Sequence, residues 1–133
     1  MTTPHGYLIL NGNQVFPLEK DETVIGRGAD CDLMLNDLRV SRSHARISVS
    51  NGNFLLTDLN SSGGTDVNHR PIVQKLLVPG DIITLAAQIE FVFRTETQDL
   101  PAGHVPYVPE VSRLNASTNT GALDPGILPD NKK

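Results

Sequence analysis

Three polar clusters in this 133-residue chain hold the side chains best suited to chemistry. They are Gly26-Arg27-Gly28, then Ser41-Arg42-Ser43-His44, then Asn60-Ser61-Ser62-Gly63-Gly64-Thr65, with Val67-Asn68 following. A glycine on each side of Arg27 permits a tight turn and leaves the guanidinium unobstructed. Together the clusters offer a planar cation, several hydroxyls and backbone N–H groups, with few acidic residues among them. Four of the eight Lys and Arg residues before position 97 lie between Arg27 and Arg46. That inventory suits a phosphorylated side chain, which brings roughly −1.5 to −2 charges and three strong acceptor oxygens. Arginine meets such a group through a fixed fork of donors, and hydroxyls fill the remaining acceptor sites.

Two other chemistries compete for the same residues. Ser41 and His44, three apart, have the types of a nucleophile and its base, but their cluster contains no acidic residue to orient the histidine. His5, His44, His69 and His104 are scattered along the chain at spacings that match no metal-ligand pattern. The sequence therefore predicts a binding module rather than an enzyme, without metal or cofactor.

The residues around the clusters read as strands. Tyr7-Leu8-Ile9-Leu10 leads through Asn11-Gly12-Asn13 to Gln14-Val15-Phe16, and Ala45, Ile47 and Val49 alternate with Arg46, Ser48 and Ser50 before Asn51-Gly52-Asn53 and Phe54-Leu55-Leu56. Asn-Gly between apolar runs signals a tight hairpin, because both residues tolerate positive φ. After Pro79-Gly80-Asp81 come Ile82-Ile83-Thr84-Leu85, then Ile89, Phe91 and Phe93 alternating with polar or smaller residues. Short runs at this spacing predict an all-β fold, a sandwich or a barrel. All three clusters then fall between strands, where loops belong.

Bulk properties narrow the partner. The length suits one core. A formal net charge of −4 argues against a nucleic-acid partner. The single Cys31 excludes an internal disulfide. The first residues lack the basic and apolar stretches of a signal peptide, and no apolar run has the length to cross a bilayer. A cytoplasmic protein with no membrane partner is the expectation.

The order of the clusters resembles the signature of the forkhead-associated (FHA) domain: Gly26-Arg27, Ser41-Arg42-Ser43-His44 beginning fourteen residues after the arginine, and Leu59 through Asn68. The resemblance covers residues 6–96. It implies a two-sheet β-sandwich of about eleven strands, holding a phosphothreonine peptide in the loops at one end as an adaptor in Ser/Thr-kinase signalling. By the same resemblance Arg27 and Ser41 contact the phosphate, Ser62 reaches it, Arg42 lies near phosphate or peptide, and Asn68 hydrogen-bonds the peptide backbone. His44 is implied to be a buried scaffold residue that ties the loops, with Gly26, Gly64 and Thr65 supporting the site. This chain departs from the pattern at two places. Gly63 stands where the family's peptide-gripping asparagine usually does, and His69 replaces a common glycine. The first departure implies that Gly63→Asn would tighten binding, and it leaves open a phosphate-independent scaffold of the same fold.

Residues 97–133 differ from the rest, with five of the nine prolines and the run Asn115-Ala116-Ser117-Thr118-Asn119-Thr120. They read as an extended or disordered tail. If phosphorylated, Thr118 or Thr120 would make the tail a partner for its own domain.

Overall fold

The structure, a computed structural model, describes residues 5–108. Twelve strands make up the fold: β1 Gly6–Leu10, β2 Gln14–Leu18, β3 Glu22–Gly26, β4 Leu33–Met34, β5 Ala45–Ser50, β6 Asn53–Asp58, β7 Thr65–Val67, β8 Arg70–Pro71, β9 Gln74–Leu76, β10 Ile82–Leu85, β11 Ile89–Arg94 and β12 Val105–Pro106. Seven form one sheet in the order β12-β2-β1-β11-β10-β7-β8, and five form the other in the order β4-β3-β5-β6-β9. Neighbours are antiparallel except β3 with β4 and β2 with β12. The expected all-β sandwich is present, with one strand more than about eleven. No helix among the described residues is long and apolar enough to cross a membrane.

Alternation decides which side chains enter the core. Leu8 and Leu10 of β1, Ile25 of β3, Ala45 and Ile47 of β5, Phe54 and Leu56 of β6, and Phe91 and Phe93 of β11 are all buried in one cluster between the sheets. Phe54 and Phe93 meet across it edge to face, with ring centroids 4.8 Å apart. Each of the leucine, isoleucine and phenylalanine side chains contributes on the order of 1.5–3 kcal/mol by leaving water. The Asn-Gly signals are read correctly by the fold. Asn51 and Gly52, at φ 53° and 80°, form a two-residue loop between the paired Ser50 and Asn53.

The domain boundary differs from the expectation at residue 96. Residues 97–108 belong to the fold: a 3₁₀ turn at Thr97–Asp99 leads across the outer face of the larger sheet, where Leu100 packs on the cluster of Tyr7, Ile9 and Val15. That cover explains why every residue of β1 is buried. Strand β12 then adds to the edge of β2, with the Val105 and Tyr107 N–H groups donating to Asn13 and Val15 carbonyls at 3.0 Å. Pro106, which has no N–H, is tolerated because it sits on an edge. Tyr107 packs on the main core and donates its hydroxyl to the Met34 carbonyl at 2.9 Å. Sequence reading missed this strap because its apolar residues are isolated among prolines and show no period. Thr118 and Thr120 lie outside the described residues.

Candidate functional site

Three loops converge at one end of the sandwich: residues 27–32 after β3, 35–44 after β4, and 59–64 after β6. Backbone bonds lock the first two together, Arg27 N–H donating to the Ser41 carbonyl at 3.0 Å and Gly28 N–H to that of Arg42 at 3.1 Å. Gly26 makes this approach possible. A Cβ there would lie 2.2 Å from the Arg42 carbonyl oxygen, so any other residue would force the loops apart.

Arg27 is half-buried, and its Nε donates to the Val40 carbonyl at 3.1 Å. That bond anchors one edge of the guanidinium. Among the described residues no ion pair involves Arg27, so its terminal nitrogens keep the geometry of an anion-binding fork. Beside it, Ser41 Oγ accepts the Ser62 N–H at 3.1 Å and lies 3.3 Å from Ser62 Oγ. The Arg27 guanidinium is thus tied to the residue before Ser41, and the Ser41 and Ser62 hydroxyls adjoin each other. Arg42 is exposed at the rim of the same cluster. The Arg42 carbonyl also accepts the Cys31 thiol, whose pKa is raised chiefly by burial.

His44 is completely buried, and its Nδ1 accepts the Ser41 N–H at 3.1 Å. With Nδ1 accepting, Nε2 carries the proton and donates to the Gly64 carbonyl at 2.8 Å. One ring therefore spans the second and third loops. This geometry removes the nucleophile–base pairing: His44 meets the backbone N–H of Ser41, not its hydroxyl. Gly64 has φ 83°, a conformation for which glycine is suited, and Thr65 is buried at the start of β7.

Asp58, at the end of β6, is a site residue that sequence reasoning missed. Its Oδ1 accepts the Ser61 hydroxyl at 2.5 Å and the Thr65 hydroxyl at 2.7 Å, and its Oδ2 accepts the Ser61 N–H at 3.2 Å. Ser61 Oγ in turn accepts the Gly64 N–H at 3.0 Å. The third loop is thereby wound around one carboxylate. Burial pushes the Asp58 pKa up, but the bonds from Ser61 and Thr65 outweigh it and hold the carboxyl below its ordinary value. An Asp with a Ser three residues on is a known side-chain-to-backbone turn signal, and it was legible.

Asn68 is corrected. Its side chain donates to buried Asp81 at 3.0 Å and accepts the Ile82 N–H at 3.0 Å. Strand β7 carries it about 10 Å from Thr65, to the end of β10 away from the clusters. It anchors the turn into β8 and is not brought together with Arg27, Ser41 and Ser62. His69, beside it at φ 69°, occupies a conformation that favours glycine, which accounts for the family's glycine there. Gly63 also changes meaning. A Cβ on it would fall 2.7 Å from the Ala86 methyl carbon, so an asparagine does not fit as the loops stand.

A family model described as "FHA domain" matches residues 23–86, the stretch that contains all three clusters. The chain belongs to the FHA domain family. Among curated FHA relatives it is 40% identical over 72 residues to the FHA domain-containing protein FhaA of Mycobacterium tuberculosis, covering 54% of this chain and 14% of FhaA. It is 35% identical over 85 residues to the glycogen accumulation regulator GarA of Mycolicibacterium smegmatis, covering 64% of this chain and 53% of GarA. The chain therefore spans about half the length of GarA and a much smaller part of FhaA. Its fold overlays a structure solved in a structural and functional analysis of phosphothreonine-dependent FHA domain interactions, with a TM-score of 0.64 and 35% identity, covering 68% of this chain and 96% of that one.

Proposed function

We propose that this FHA domain binds phosphothreonine-bearing protein segments, acting in the cytoplasm as an adaptor in Ser/Thr-kinase signalling and carrying out no reaction itself. One observation carries the reading: Arg27, anchored through Nε to Val40 and with no carboxylate partner among the described residues, is on a loop hydrogen-bonded to Ser41, whose hydroxyl adjoins that of Ser62. In this reading the phosphate accepts from the Arg27 terminal nitrogens, from Ser41 and Ser62, and from loop N–H groups. Arg42 and the bare backbone at Gly63 face the peptide. Two or three charge-assisted bonds of about 1.5–3 kcal/mol each are enough to make binding conditional on the phosphate. The solved relative's phosphothreonine-dependent interactions support the same choice.

The test is a titration with paired peptides, phosphorylated and not, against the wild type and Arg27→Ala. Binding is expected only to the phosphorylated peptide, weakened at least tenfold by the substitution while the unfolding midpoint holds. Equal affinity for both peptides would favour the phosphate-independent scaffold instead.

A second partner falls within this reading. Val108, the last described residue, lines a cleft with Asn36 of the second loop and Gln88 of the β10–β11 turn, at the loop end of the sandwich. Thr118 lies ten residues further on, and a chain of that length reaches at most about 33–36 Å. A phosphate on Thr118 or Thr120 would then compete for the site at an effective concentration near millimolar. Kinase treatment is expected to weaken peptide binding in the wild type and not in a Thr118→Ala/Thr120→Ala variant. The same loss in both would remove the tail from the scheme.

A further inference from the structure

Two loops close on Gly63, and both bring apolar side chains to the rim of the site. The position a Gly63 Cβ would take lies 2.7 Å from the methyl carbon of Ala86, on the β10–β11 turn, and 3.2 Å from the carbonyl oxygen of Arg39, on the β4–β5 loop. In the turn, Ala86 and Ala87 have φ 53° and 56°. A turn that needs positive φ at both central positions is ordinarily built from Asn and Gly, as this chain does at Asn11-Gly12 and Asn51-Gly52. Alanine in the left-handed region is strained, and such strain gathers where a loop serves a ligand. Ala87 is exposed and contributes nothing to the core.

On the other loop, Leu38 is 88% exposed, more than any other large hydrophobic side chain among the described residues. A lone exposed leucine is ordinary; this one sits in a hydrogen-bonded turn. The Arg39 guanidinium grips both oxygens of Asp37, Nε at 3.0 Å and Nη2 at 2.8 Å, and the Arg39 N–H adds a third bond at 2.9 Å. The Val40 N–H closes the turn onto the Asp37 carbonyl at 3.0 Å. Leu38 is the tip of that clamped turn. The same clamp occupies the fork of Arg39, so an acidic ligand side chain meets a cation already neutralised.

We propose that Leu38, Ala86 and Ala87 form an apolar selector beside the phosphate site, giving this domain a preference for phosphothreonine segments with an aliphatic side chain within a few residues of the phosphate. The proposal rests on the phosphothreonine reading and adds the sequence preference. It also gives the loss of the asparagine at position 63 a sense: a polar grip on the peptide main chain has given way to apolar contact with its side chains.

A positional library of phosphothreonine peptides tests it, each carrying Leu, Ala, Asp or Lys at one of the four positions on either side. The wild type is expected to favour Leu over Asp at least tenfold at one of these positions. In Leu38→Ser that ratio should fall below threefold, while affinity for the all-Ala reference stays within twofold of wild type. Ala87→Gly, which removes the exposed methyl and leaves Leu38 in place, should lower the ratio in the same direction. A wild type indifferent to the substitutions, or a ratio unchanged in both variants, overturns the selector but leaves phosphothreonine binding standing. Failure of every peptide, the all-Ala reference included, and with no further loss in Arg27→Ala, overturns both readings together.

Discussion

At the scale of the residue, Arg27 and Gly63 show how a neighbour decides what a motif position can do. Val40 takes the arginine's Nε, and among the described residues no carboxylate takes the rest of it. Lysine in its place would keep the charge and lose both the anchoring bond and the fork. Gly63 is the opposite case, in which the neighbour forbids. A Cβ would stand 2.7 Å from the Ala86 methyl carbon, 3.0 Å from the Ala86 Cα and 3.2 Å from the Arg39 oxygen, all closer than carbon and oxygen atoms rest. Gly63→Asn is therefore expected to cost about 1–3 kcal/mol, the range for overpacking a filled site, and to lower the denaturant midpoint without tightening binding. Ala86→Gly should relieve the double variant twice over, by deleting the methyl and by freeing a residue at φ 53° from its left-handed penalty of roughly 1–2 kcal/mol. If Gly63→Asn alone proves as stable as wild type, the steric account of this departure fails.

At the scale of the element, the loop between β6 and β7 folds around Asp58 rather than around its own backbone. Ser61 and Thr65 give it three hydrogen bonds, and these hold its pKa down against the upward push of burial. A carboxyl whose folded pKa is depressed contributes stability that is present above its unfolded value, about 3.9, and is lost as the pH falls through the folded value. Between pH 7 and pH 5 this group should leave the unfolding midpoint unchanged, with its contribution disappearing only below about pH 4. Asp58→Asn keeps the shape, replaces one acceptor oxygen with a donor and removes the charge. It should lower the midpoint at pH 7 and flatten the acid limb of a midpoint-against-pH series relative to wild type. Because Ser62 and Gly64 ride on the same loop, phosphopeptide affinity should fall in parallel, even though the Asp58 carboxylate is engaged by Ser61 and Thr65. Parallel acid limbs in the two proteins would show that the loop is held by something else.

At the scale of the molecule, what was legible in the sequence was whatever local chemistry dictates. Asn51-Gly52 demanded positive φ and formed a hairpin; Phe91 and Phe93 alternated into the core; Arg27, Ser41 and Ser62 were chosen by type, and hydrogen bonds join the loops that carry them. What was missed is non-local. Strands of two or three residues such as Leu33–Met34 and Gln74–Leu76 are too short to show a period, and Asn68 was misplaced because only the path of β7 reveals which end of the sandwich it occupies. The strap is the clearest instance. Strand β12 pairs with a strand about ninety residues earlier, and Tyr107 joins an edge of one sheet to an edge of the other, since β12 and β4 each end their sheets. Such a clasp closes the side of the sandwich from which the second loop departs. Tyr107→Phe keeps the ring in the core and leaves the Met34 carbonyl without its hydroxyl donor, a loss of about 0.5–1.5 kcal/mol. Tyr107→Ala removes the ring as well and should cost several times more, because the partly buried ring packs on the main core. Met34 is paired with Gly26, the neighbour of Arg27, so the alanine variant should also lose phosphopeptide affinity while the phenylalanine variant nearly keeps it. Unfolding midpoints that place both variants level with wild type would mean that the strap merely lies on the sandwich instead of holding it shut.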